Sequence, residues 1–229
     1  PAYSTLPAIS LNEMGKVRLM NRIDTKYVVS LPELNNLLQL IQPHYFIQEI
    51  NGMRNMPYRS IYLDTADYAM YMRHQNGQST REKIRLRTYV SSGLHFLEIK
   101  DKSNKGRTDK KRIRIDDETI YTKVNESFIR QSTWYDLSNL KPALCNQFNR
   151  ITLANKEMTE RLTIDTDIRF SHLRTGRQSQ LANLAIVELK RSGHQTSVAA
   201  QALHKMHIQP SGFSKYCIGT VLTLSNIKH

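Results

Sequence analysis

"REKIRLRTY", residues 81–89, carries Arg81, Lys83, Arg85 and Arg87 at every second position, with Ile84 and Leu86 between them. Successive side chains of a strand point to opposite faces, so this stretch reads as a strand with one cationic and one apolar face. A solvated antiparallel sheet packed on helices produces the same alternation. Taken alone, the stretch is compatible with a wet surface or with a charged lining.

Five further stretches repeat the split. In "NRIDTKYVV" Arg22, Asp24 and Lys26 oppose Ile23, Tyr27 and Val29. In "LHFLEIKDK" Glu98 and Lys100 oppose Leu97 and Ile99, and in "DKKRIRI" Lys110, Arg112 and Arg114 oppose Ile113 and Ile115. In "ERLTIDTDIRF" Arg161, Thr163, Asp165, Asp167 and Arg169 oppose Leu162, Ile164, Ile168 and Phe170. In "LAIVELKR" Glu188 and Lys190 oppose Val187 and Leu189. A merely solvated face mixes Ser, Thr, Gln and Lys. These faces are dense in Arg, whose forked guanidinium suits bidentate contacts to phosphate.

Helices fill the remainder. Residues 9–20 read as a short amphipathic helix. "SLPELNNLLQLIQ" has a marked start, with Ser30 as cap, Pro32 in the first turn and Glu33 completing a capping box. "YRSIYLDT" (58–65) reads as a strand, with Asp64 capping a short helix that Gly77 stops. "SSG" joins strands 81–90 and 94–101 as a hairpin. Residues 125–139 read as helix, and strands are expected near 147–153, 160–170 and 184–191. The chain ends in helices over 196–207 and 213–227. About eight strands, linked by turns rather than by regular helices, argue against a doubly wound parallel sheet. The expected fold is α+β: an eight-stranded antiparallel β-barrel with flanking helices. The 229 residues are read as one domain, with a core over about 20–222 and an N-terminal helical segment over 1–20.

Lys and Arg total 33 against 20 Asp and Glu, a net charge of +13. That excess points to an anionic partner. Trp134 is the sole tryptophan, and no run of interleaved aromatics offers a stacking platform, so nucleic acid is not expected. Cys145 and Cys217 lack the spacing of a disulfide framework or zinc site. No apolar run is long enough for a membrane helix, and "PAYSTLPAIS" lacks the apolar core of a signal peptide. His204 and His207 read as solvated surface, and Tyr58, Tyr62, Tyr68 and Tyr71 as helix packing. Asp165 and Asp167 could assist a metal or pair with neighbouring arginines.

The motifs "RIDTKY", "YRSIYLDT", "KIRLRTY", "LEIK", "RLTIDTDIRF", "VELK" and "FSKYCIG" resemble, in order, those of the vacuolar transporter chaperone (VTC) domain of the triphosphate tunnel metalloenzymes. The resemblance implies the triphosphate tunnel fold, a barrel around a charged tunnel. It also implies polyphosphate polymerisation from ATP with release of ADP. The residues it implies as catalytic are Lys26, Arg85, Arg87, Lys100 and Arg161. As phosphate contacts it implies Arg22, Lys83, Lys110, Arg112, Arg150, Lys190, Ser214 and Lys215. Which of Lys110, Lys111 and Arg112 aligns with the family's lysine stays open. Glu188 would hold Mn²⁺ or Mg²⁺. Arg22, Asp24 and Lys26 stand where the wider superfamily has ExExK, which argues against a metal-rich hydrolase or cyclase site. The expected partners are ATP and inorganic polyphosphate, in a stand-alone, bacterial-type, cytoplasmic protein. There is room for a separate membrane partner and a peripheral place at the inner membrane face. A metal-dependent tripolyphosphatase of the same fold and a non-catalytic polyphosphate-binding module are the alternatives.

Overall fold

The structure is a computed structural model that describes residues 1–19, 21–103, 105–193 and 195–224. In chain order its elements are β1 (Ala8–Ile9), α1 (Leu11–Met14), β2 (Arg22–Ser30), α2 (Leu31–Ile41), β3 (Tyr45–Gln48), β4 (Met56–Asp64) and α3 (Ala69–Gln75). There follow β5 (Arg81–Tyr89), β6 (Leu94–Lys102), β7 (Thr108–Ile115), α4 (Lys123–Ser132), β8 (Lys141–Asn155) and β9 (Glu160–His172). The last are β10 (Gln178–Leu181), β11 (Leu184–Ser192), α5 (Val198–Lys205) and α6 (Lys215–Thr223).

The fold is α+β. The main path of the sheet has eight strands in the order β2-β11-β9-β8-β4-β5-β6-β7. The ladders β2–β11, β11–β9, β4–β5, β5–β6 and β6–β7 are antiparallel. The expected antiparallel eight-stranded arrangement is therefore present. Three short strands escaped the periodicity: β1 and β3 pair with each other, and β10 pairs with β9. No helix among the described residues is long and apolar enough to cross a membrane.

The chain divides into two compact units. The first comprises residues 1–56, 148–168 and 181–213. Its helix α2 begins at a capping box: Glu33 N–H donates to Ser30 Oγ at 3.2 Å, and Ser30 N–H to Glu33 Oε1 at 2.9 Å. Those bonds to Ser30 hold the Glu33 carboxyl below its ordinary range. The apolar stripe of α2 (Leu34, Leu37, Leu38, Ile41) packs with Leu203 of α5 and with Tyr27, Val29, Leu162, Ile164, Val187 and Leu189 of the sheet. Each fully buried Leu or Ile contributes roughly 1.5–3 kcal/mol.

The second unit comprises residues 57–147, 169–180 and 214–229. Leu63, Ile84, Leu86, Leu97, Ile99 and Ile115 form its sheet core, closed by Met70 of α3 and Ile129 of α4. Helix α6 lies hard against the strands at Gly219. A Cβ there would come within 2.4 Å of Phe170 and 2.6 Å of Leu144, so only glycine allows this approach. Asp64 is the expected helix cap: it accepts N–H bonds from Met70 (3.0 Å) and Tyr71 (3.1 Å) in the first turn of α3.

Several boundaries differ from expectation. The helix expected over 9–20 is the four-residue α1, where Gly15 N–H turns back to Leu11 and Glu13 carbonyls; residue 20 lies outside the described residues. Met14 and Val17 still reach a small core with Ile9 and Ala154. A buried turn with the same apolar spacing mimics a helix in sequence. The expected helix 125–139 is α4 plus a separate 3₁₀ turn at Leu137–Asn139. Strand β8 is fifteen residues long and begins at Lys141, well before the expected 147. Residues 225–227 of the last expected helix lie outside the described residues.

Candidate functional site

Strand register turns the alternation into two charged arrays, one in each unit. In the second unit, β5 pairs with β6 so that Lys83 faces Lys100, Arg85 faces Glu98 and Arg87 faces Phe96. On β7, Lys110 faces Lys100, Arg112 faces Glu98 and Arg114 faces Phe96. Directly paired residues project from the same face. That face collects Arg81, Lys83, Arg85 and Arg87 from β5, Lys100 and Lys102 from β6, and Lys110, Arg112 and Arg114 from β7. Its carboxylate is Glu98. The other acidic residues of these strands, Glu82, Asp101 and Asp109, fall on the opposite face. Of the three residues left open by the sequence, Lys111 stands across from Ile99 on the apolar side, while Lys110 and Arg112 both stand on the cationic side.

Glu98 is 1% exposed and holds the array together. Arg85 Nε lies 2.9 Å and Arg87 Nε 3.9 Å from its Oε1, and Lys110 Nζ lies 2.7 Å from its Oε2. Burial alone would raise its carboxyl; Arg85, Arg87 and Lys110 reverse that and hold it well below the usual range. Lys110 goes the other way. Burial, with repulsion from Arg85 and Arg87, pushes its ammonium down to about 8 despite the pull of Glu98. Arg87 Nε also donates to Ser60 Oγ at 3.1 Å. Lys83 Nζ donates to Ser214 Oγ at 2.9 Å, and Ser214 in turn caps α6 by accepting from Cys217 N–H. Lys215 is the first residue of α6.

In the first unit, β11 lies between β2 and β9. Glu188 faces Lys26 on one side and Thr163 on the other; Lys190 faces Asp24 and Arg161; Ser192 faces Arg22. Here cations and carboxylates alternate. Arg22 Nε lies 2.8 Å from Asp24, and Lys190 Nζ lies 3.4 Å from Glu188. Arg150 makes a bidentate pair with Asp165 at 2.6 and 2.9 Å, one of the two roles the sequence left open for that aspartate. Asp167, at φ 51°, is exposed. Lys26 Nζ donates to the Phe213 carbonyl at 2.8 Å, and Arg161 reaches the Met14 carbonyl at 3.3 Å. Burial lowers the Lys190 ammonium, with Glu188 and Asp24 opposing.

The structure thus brings Arg22, Lys26, Arg150, Arg161, Glu188 and Lys190 into the first unit. It brings Lys83, Arg85, Arg87, Lys100, Lys110, Arg112, Ser214 and Lys215 into the second. Among the described residues no group of three His, Cys, Asp or Glu is placed to hold a metal ion. A hard divalent ion held by one or two carboxylates and by substrate phosphates needs no such group. Glu188, with 17% of its side chain exposed, has the oxygen donors for that arrangement.

Sequence reasoning missed Glu98 as a site residue. Its signal was present, a lone carboxylate on the face of a basic hairpin, but its three partners depend on cross-strand register. Tyr62 was read as helix packing. Its ring does pack on Tyr216 of α6, yet it shares the charged face, directly across from Arg85.

The family model described as the VTC domain matches residues 21–224. None of the curated proteins matches the chain. Among solved structures, a Hippeastrum protein, described as an adenylyl cyclase candidate with a dominant triphosphatase activity, superposes with a TM-score of 0.55 at 14% identity. The match covers 90% of this chain and 97% of that one. An adenylate cyclase candidate from Bacillus halodurans superposes with a TM-score of 0.52 at 14% identity, over 85% of this chain and 96% of that one.

Proposed function

Because the chain belongs to the VTC domain family, we propose that it binds ATP by its triphosphate and transfers the γ-phosphoryl group to a growing polyphosphate chain. One observation carries this reading: a sheet face formed by β5, β6 and β7 in which Arg and Lys from all three strands surround the single carboxylate of Glu98. Arg85 and Arg87 are 9% and 4% exposed. Burying cations beyond what one carboxylate neutralises is costly, and a polyanion offsets that cost.

Phosphoryl transfer depends on positioning and charge neutralisation more than on a protein nucleophile. Arg85, Arg87, Lys110 and Arg112 hold phosphoryl oxygens of the donor. Lys83 and Lys215 add charge at the start of α6, where Ser214 orders the first turn and the helix N-terminus favours an anion. In the first unit Arg150, Arg161, Lys190 and Lys26 act as phosphate contacts; in the second, Lys100 serves the transferring group. The terminal phosphate of the acceptor chain attacks the γ-phosphorus. A new P–O bond forms, the β–γ bridge breaks and ADP leaves. The attacking oxygen is already anionic at neutral pH, so no general base is required. Glu188 would hold Mn²⁺ or Mg²⁺, which would neutralise phosphate charge when bound. An ATP-consuming reaction fits a cytoplasmic setting.

Hydrolysis of the triphosphate is the second reading, favoured by the triphosphatase activity described for the Hippeastrum protein. Incubation with ATP and Mn²⁺ separates the two. Polymerisation yields ADP and a ladder of long anionic products on a gel, hydrolysis yields free phosphate without a ladder, and tight binding without ADP release would leave only a binding module.

A further inference from the structure

Tyr62 sits within the cationic face of the second unit, and no role in the reaction above falls to it. It is 3% exposed and stands directly across from Arg85 on β5. Its ring stacks on Tyr216 with centroids 5.1 Å apart and 17° between the planes. Tyr216 is itself anchored, its hydroxyl donating to Asp64 Oδ2 at 2.5 Å, and Asp64 is held by the N–H groups that begin α3. The Tyr62 ring is therefore clamped, and its hydroxyl cannot swing away without breaking the stack.

A buried tyrosine normally gives its O–H to an acceptor. Here Tyr62 is faced by Lys83, Arg85 and Arg87 from β5, by Lys215 and Tyr216 from α6, and across Arg85 by Glu98, which is already occupied by Arg85 and Lys110. Burial alone would push the phenol up, but Arg85, Arg87, Lys215 and Lys83 together draw it down to about 8. Arg85 hydrogen-bonds the Tyr62 oxygen, which leaves the phenol proton to be given elsewhere, and the charges that act most strongly on the phenol are cationic. An oxygen of a phosphoryl group suits both: it accepts from the phenol and from the cations at once.

We propose that Tyr62 is a further contact of the bound triphosphate, its phenolic O–H donating to a phosphoryl oxygen between Arg85 and Lys215. This rests on the triphosphate-binding reading above. A bound polyanion favours the proton-bearing phenol, so ligand arrival raises the pH at which Tyr62 ionises.

The test uses inorganic tripolyphosphate as probe with the full chain and with Tyr62→Phe, which keeps the ring stack and removes only the hydroxyl. Loss of a hydrogen bond to a charged group predicts a Kd weaker by about 10- to 100-fold. In the unchanged chain, phenolate absorbance rises through pH about 8, and saturating tripolyphosphate moves that step to higher pH. The absorbance measurement decides the matter if the variant fails to fold. A folded Tyr62→Phe that binds as tightly as the unchanged chain, or a step that tripolyphosphate does not move, overturns the proposal and leaves the parent reading intact. An unchanged chain that does not bind tripolyphosphate overturns both.

Discussion

The two units build the same kind of surface from the same alternation, yet balance its charge differently. In the first, Arg150 has Asp165, Lys190 has Glu188 and Arg22 has Asp24, close to one carboxylate for each of these cations. In the second, Arg85, Arg87 and Lys110 share Glu98. An array with several cations per carboxylate gains more from an anionic ligand than one in which cations and carboxylates are paired one to one at three places. The first unit also contributes the carboxylate proposed as metal ligand. The difference teaches that a count of basic residues per strand does not locate the anion site; the local ratio of cations to carboxylates does.

The sharpest way to break this comparison is to remove the buried arginines. Arg85→Ala or Arg87→Ala is expected to lower ADP release from ATP by about 10³-fold or more, the range of a transition-state arginine. A folded variant turning over at the rate of the unchanged chain would strip the second unit of its role. Glu188→Gln probes the first unit. Loss of several kcal/mol of metal-borne charge stabilisation predicts turnover lower by roughly 10²-fold, with a higher Mn²⁺ requirement in a metal titration. An unchanged Mn²⁺ dependence would remove Glu188 as ligand.

Stability sharpens the contrast further. Glu98→Gln leaves buried cations uncompensated and is expected to cost about 3–5 kcal/mol in denaturant unfolding. Asp165→Asn strands Arg150 alone and should cost less. The reverse order would mean that Glu98 is not what binds the second array together. The smallest effect concerns pH. With its pKa drawn to about 8, Lys110 loses charge as pH rises through that value, so tripolyphosphate affinity should fall there, by up to about tenfold for one partly screened charge. Lys110→Arg should diminish the fall; a pH profile identical to that of the unchanged chain would exclude Lys110 as its source. For stability the sign is opposite. Between about 8 and the ordinary lysine value the unfolded chain binds more protons, so this group's contribution to stability rises with pH.

Much of the fold was legible because alternation and capping are local. Residues 81–89 state their own strand, and Ser30, Pro32 and Glu33 state their own helix start. Legibility failed where local pattern is degenerate. Leu11, Met14 and Val17 have helical spacing, yet a turn at Gly15 buries Met14 and Val17 as well. The short strands β1, β3 and β10 have too few residues to show a period.

For the site, the sequence by itself determined the chemistry of each face: which side chains are cationic, that they alternate with apolar ones, and which motifs resemble the VTC domain. That follows because side-chain direction in a strand depends on parity alone. Only the tertiary structure decided who meets whom. Register put Lys110 and Arg112 rather than Lys111 beside Glu98 and Lys100, gathered Arg85, Arg87 and Lys110 on one buried carboxylate, and set Tyr62 across from Arg85. Cross-strand partners are set by ladders between segments distant in sequence, and a slip of one residue would send every one of these side chains to the other face.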